Sequence, residues 1–156
     1  MSLLYTPHNM LMQTRTPEPQ QVVVVLGAVR DEQSRVLIAR RADTSVPDAQ
    51  GRWEFVGGKI QFGEDPEQAL VREVQEESGL RVRVVRLLPK VFTHVWRTEE
   101  NGELQVFLLT YECALVSGVL SNAQVADEIS ELRFVSLDEL SRLDALPNLI
   151  EAIPYL

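Results

Sequence analysis

Three glutamates, Glu73, Glu76 and Glu77, crowd the end of one short stretch of this chain. On a helix turning about 100° per residue they share a single arc. Glu73 and Glu77 are like charges four positions apart, a spacing that costs about 0.2–0.5 kcal/mol. Glu76 and Glu77 also stand at the negative end of the helix dipole, unfavourable by about 0.3–1 kcal/mol each. No lysine or arginine follows within the next turn, since Arg81 comes after Gly79. A solvated acidic face is the ordinary explanation of such a cluster. Here, however, the arc borders the apolar stripe of Leu70, Val71 and Val74 instead of lying opposite it. A bound cation would explain the arrangement, and clustered carboxylates select hard ions, with Mg2+ or Mn2+ leading.

The helix that must hold these groups is well bounded. Asp65 is a good N-cap, Pro66 a good first residue, and Gln68 is placed to complete a capping box. Gly79 followed by apolar Leu80 fits a left-handed ending. The spacing predicts a helix over 66–78, with Gln68 and Gln75 toward solvent and Arg72 flanking the acidic arc.

The run from Gly58 through Glu64 to Arg72-Glu73-Val74-Gln75-Glu76-Glu77-Ser78-Gly79-Leu80 resembles the Nudix box, GX5EX7REUXEEXGU, at every specified position. Nine fixed positions over 23 residues make a chance match very improbable. The preceding Trp53-Glu54-Phe55-Val56-Gly57-Gly58-Lys59-Ile60 is similar to the MutT-like branch of that family. The resemblance implies an α/β fold, a Nudix-type α/β/α sandwich with a mixed β-sheet. It implies an enzyme, a pyrophosphohydrolase that needs Mg2+ (or Mn2+).

The same resemblance implies the site residues. Glu73, Glu76 and Glu77 would hold metal together with the carbonyl of Gly57, while Arg72 and Glu64 would orient the glutamates and brace the loop. Glu73 is the nearest counterpart of the catalytic base. Glu128 stands where MutT-like enzymes place a further metal-associated glutamate, with Asp127 its competitor. Arg41, Glu54, Phe55, Gly58 and Asn148 are the substrate-binding candidates. Phe55 would offer a ring face to a base, Arg41 a cation to phosphate or a base edge, and Asn148 a paired donor and acceptor. A plain turn at Gly57-Gly58 and a helix cap at Asn148 are the simpler structural explanations. Val56 departs from the proline that MutT-like enzymes carry there, so the metal chemistry carries over more securely than the purine specificity.

The leading expectation is a nucleoside triphosphate pyrophosphohydrolase giving a nucleoside monophosphate and pyrophosphate. The alternatives are an ADP-ribose or nucleotide-sugar diphosphatase, and a Nudix-like sensor that binds nucleotide without turnover. The complete set of box glutamates disfavours the sensor.

Elsewhere the chain reads as one domain. Its 156 residues suffice for a real core, and 45% hydrophobic with 24% charged residues is ordinary globular composition. A net charge of −8 without any basic run argues against binding to polymeric nucleic acid or a membrane surface. Residues 1–20 form an N-terminal arm without periodicity, either mobile or docked on a partner subunit in a homodimer, and residues 21–156 form the Nudix domain. The arm shows neither a secretory signal nor a membrane span, which predicts a cytoplasmic protein. Cys113, the one cysteine, lies in an apolar strand-like run and reads as core filler. Strands are predicted over 21–29, 36–39 and 53–55, then within 81–97, 103–116 and 131–135. Glu100-Asn101-Gly102 supplies a hairpin turn. Phe92, His94 and Trp96 share one strand face, which suits a core or a pocket wall. Short helices follow Ser136 and Pro147.

Overall fold

The computed structural model describes residues 18–98, 102–121 and 128–156. Most of the N-terminal arm (1–17), Glu100 and Asn101 of the hairpin turn, and Asp127 lie outside the described residues. The strands are β1 (Gln20–Arg30), β2 (Val36–Arg41), β3 (Trp53–Glu54), β4 (Val56–Lys59), β5 (Arg81–Leu87), β6 (Phe92–Thr98), β7 (Gly102–Ser117) and β8 (Ile129–Val135). The helices are α1 (Pro66–Ser78), α2 (Leu137–Leu140) and α3 (Pro147–Ala152).

β1 is the spine, as its β-branched run suggests. It lies parallel to β7 from Gln20 opposite Leu104 to Arg30 opposite Ala114. On its other side it pairs antiparallel with β4, placing Leu26 opposite Gly57 and Val25 opposite Gly58. β5 and β6 both pair antiparallel with β7, while β3 and β8 flank β2. Parallel and antiparallel pairs together make the sheet mixed.

Alternation along the strands gives this sheet two buried faces. Val25 and Val29 of β1, with Leu37 and Ala39 of β2, pack against Ala69, Leu70 and Val74 of α1. Leu26, Ala28, Val36 and Ile38 point the other way, toward Leu140 of α2 and Leu149 and Ala152 of α3. The result is an α/β/α sandwich, as expected. Cys113 is part of the first core and 1% exposed, and burial pushes its thiol up to about 12.

The ends of α1 fall where the sequence places them. The Asp65 carboxylate accepts from the amides of Glu67 and Gln68, and Gly79 closes the helix with φ 75°. Leu70 and Val74 are fully buried, whereas Gln68 and Gln75 face solvent. Ser136 caps α2 by accepting from the Glu139 amide.

Candidate active site

A cleft of about 1050 Å3 opens between the layers. Glu73 and Glu77 reach it from α1, Gly57, Gly58 and Lys59 from β4, and Arg41 and Glu54 from β2 and β3. Glu128, just before β8, and Asn148 of α3 complete this set. Residues far apart in the chain therefore converge on one cleft.

Gly57 and Gly58 are strand residues of β4, not a turn or loop. Each is a glycine for a different steric reason. A Cβ on Gly57, whose φ is 151°, would lie 2.0 Å from the Val25 carbonyl oxygen of β1. A Cβ on Gly58 would lie 2.5 Å from the Glu73 carboxylate carbon. The bare β4 backbone thus lets α1 bring its acidic side chains down onto the sheet. The Gly57 amide also donates to Glu77 Oε2 at 3.1 Å.

Arg72 changes the electrostatics inferred from the sequence. Its Nε and Nη2 donate to Glu64 at 2.8 and 2.9 Å, and its Nη1 to Glu73 at 2.7 Å and Glu76 at 3.2 Å. The paired guanidinium holds the Glu64 carboxyl down to about 2. The like-charge cost within the arc is therefore partly relieved from the helix's own middle, a contact that counting only C-terminal cations overlooks. Glu76 is drawn outward: its side chain is 60% exposed and lies in an open groove beside β5 with Arg72, not in the cleft.

Glu77 has no such relief. Among the described residues it forms no ion pair, and burial raises its carboxyl to about 8 despite the Gly57 amide. The charges of Glu54, Glu73 and Glu128 add to that rise. Glu54 is likewise pushed up, by burial above all, although Arg41 opposes this.

Among the described residues, no three His, Cys, Asp or Glu side chains converge closely enough to hold an ion as they stand. Arg72 engages Glu73 and Glu76. The donor chemistry nonetheless fits a hard divalent cation: carboxylates that destabilise one another's charge face one cleft, joined by strand backbone.

One of the substrate-binding expectations is corrected. Phe55 is 1% exposed and packs with Leu26, Ile38 and Leu149, so it presents no ring face to a base. Along the chain it alternates with Glu54, which faces the cleft, and Val56, which enters the other core. Arg41 does line the cleft, but its guanidinium is already matched by Glu54 at 3.0 Å and Asp43 at 3.2 Å. Asn148 is not the cap of α3, which begins after Leu146 without a side-chain cap. On β6, Phe92 is buried while His94 and Trp96 extend the same face into the cleft with ring centroids 4.1 Å apart. Sequence reasoning missed Asp43, Lys59, Lys90 and Glu151 as cleft residues. Only Glu151 carried a signal, lying three positions after Asn148 on one helix.

Against this geometry, the Nudix-domain family model matches residues 19–156. The chain belongs to the Nudix family. A MutT-like protein of Streptomyces ambofaciens is 35% identical over 142 residues, covering 86% of this chain and 82% of that protein. An 8-oxo-dGTP diphosphatase of Escherichia coli K12 is 39% identical over 72 residues, 46% of this chain and 54% of that enzyme. That second match thus spans about half of the relative. The structure of a MutT protein from Methanosarcina mazei superposes with a TM-score of 0.69 at 22% identity, covering 88% of this chain and 95% of that one, and shows the shared fold. This Nudix hydrolase is therefore of the MutT-like branch, in a family that acts on nucleotides and generally uses divalent cations. No described helix is long and apolar enough to cross a membrane.

Proposed function

We propose that this Nudix hydrolase cleaves nucleoside triphosphates in a Mg2+-dependent reaction, Mn2+ substituting, to give a nucleoside monophosphate and pyrophosphate. The observation that carries this reading is Glu77. A partly buried carboxylate facing a cleft, without a cationic partner among the described residues, hydrogen-bonded to the Gly57 amide and surrounded by Glu54, Glu73 and Glu128, suits a cation brought with phosphate. The similarity to a diphosphatase of a nucleoside triphosphate supports the substrate class.

Glu73, Glu77 and the Gly57 carbonyl would hold the cation, with the exposed Glu76 turning in from Arg72. A cation there neutralises phosphate charge and lowers the pKa of bound water. Arg72, locked by Glu64, keeps the base of α1 in register with β4, as residues behind a ligand set commonly do. In the hydrolysis a water adds to phosphorus, the P–O bond to the leaving group breaks, and the proton lost by water passes to a carboxylate. Glu128 is that base in our reading. Its carboxylate borders the cleft and, among the described residues, makes no ion pair, whereas Glu73 is held by Arg72.

The test is a turnover panel of nucleoside triphosphates, ADP-ribose and nucleotide sugars with Mg2+, with products identified. Monophosphate and pyrophosphate from triphosphates, lost on chelation, are the expected result. Turnover confined to ADP-ribose or sugars would overturn the substrate class. Tight nucleotide binding without turnover would overturn the enzymatic reading.

A further inference from the structure

Lys90 and Glu151 are 61 positions apart, yet Nζ and Oε2 meet at 2.9 Å inside the cleft lining. Lys90 lies in the connection between β5 and β6, just after buried Leu88, and its ammonium sits 4.7 Å from the centre of the Phe92 ring. Glu151 lies on α3 between Leu149 and Ala152 along the chain, both fully buried. The backbone on each side is therefore anchored in the core while both charged tips stay about half exposed, at 45% and 53%.

An ion pair that exposed contributes little to stability. It is therefore a poor fastener, and a ligand can part it at little cost. Its placement is more informative. Asn148 precedes Glu151 by three residues and faces the same cleft, one turn away on α3. The α3 layer thus presents an amide and a carboxylate, and Lys90 adds an ammonium over an aromatic face. The carboxylates Glu73 and Glu77 enter from the opposite helix layer, on α1.

We propose that the Lys90–Glu151 pair is a specificity-determining element that reads the edge of the substrate's nucleobase. This rests on the nucleotide hydrolysis proposed above. The pair has no net charge, so it offers nothing to a second phosphate that the pair's own carboxylate would not repel. It does offer one donor and one acceptor side by side, the complement of a nucleobase edge on which a hydrogen-bond acceptor neighbours a donor. The ammonium binds the base's acceptor atom, the carboxylate accepts its N–H, and Asn148 supplies a further donor and acceptor beside them.

The experiment compares wild type, Lys90→Met, Glu151→Gln and the double variant on the triphosphates of the four common nucleosides, with inorganic tripolyphosphate as a base-free competitive inhibitor. We expect relative kcat/KM values among the bases to shift at least fivefold in the single variants, mainly through KM. The tripolyphosphate inhibition constant and the apo melting temperature should stay unchanged. The double variant should be no worse than the poorer single one, since the two groups act as a unit. Base ratios unchanged from wild type, in an enzyme that does hydrolyse nucleotides, would overturn the proposal and leave the activity standing. A uniform loss across all bases with a lowered melting temperature would reduce the pair to a structural tie. Absence of nucleotide turnover in wild type would overturn the underlying activity and this proposal with it.

Discussion

The amide of Gly57 donates to the carboxylate of Glu77 across 3.1 Å, joining β4 to the last turn of α1 in the cleft wall. It favours the charged carboxylate, yet burial and the neighbouring Glu54, Glu73 and Glu128 hold that carboxyl up to about 8. Near neutral pH the site therefore retains a proton that a cation would displace.

The cation-free protein should lose stability as pH rises. Because folding raises the Glu77 pKa from its ordinary 4.5 to about 8, the stabilisation is complete below about pH 4.5 and is lost as pH climbs through 8. The effect is on the order of 5 kcal/mol at most. Thermal melts in chelator between pH 5 and 9 should show the fall, and Glu77→Gln should flatten it while abolishing turnover. Equal slopes for the two proteins would remove Glu77 as the cause.

The two glycines of β4 should fail in different ways. Gly57→Ala drives a methyl into the Val25 carbonyl of β1 from a backbone at φ 151°, and backbone strain alone costs roughly 1–3 kcal/mol. Gly58→Ala meets first the Glu73 carboxylate, a side-chain end and not backbone, so the fold should survive while kcat falls at least about tenfold from displaced carboxylate geometry. Melting curves and single-turnover kinetics on both variants separate the cases.

Phe55→Ala should destabilise the whole domain by about 3–5 kcal/mol, because it removes a fully buried ring. Phe55→Leu should retain wild-type discrimination between nucleotides and inorganic tripolyphosphate. A selective loss of nucleotide affinity in the leucine variant would show that the ring does meet the base.

Glu128→Gln should lower kcat by about 10²-fold, the low end for a lost general base. Its effect on apo stability should stay within about 0.5 kcal/mol, since the residue is exposed. Asp127→Asn is the neighbouring control and should do much less. Similar, small effects on kcat from both substitutions would return the base to Glu73.

Local information in the sequence determined the bounds of α1, because Asp65, Pro66 and Gly79 act within a few residues of themselves. It also determined the acidic arc, since helical spacing alone puts Glu73, Glu76 and Glu77 on adjoining sides. Only the tertiary structure decided which of those glutamates faces the cleft. Arg72 reaches back to Glu64 and outward to Glu76, leaving Glu77 partly buried and without an ion pair among the described residues. Phe55 reads the same in sequence whether it faces a ligand or a core. The pairing of β3 with β2 and the approach of α3 settle that it faces the core. Lys90 and Glu151 carry no mutual signal in the chain, being 61 residues apart, and meet only because the sheet and α3 anchor both backbones. Spacing along a chain encodes contacts within a turn or a strand, whereas contacts between elements exist only once the core has fixed their distance.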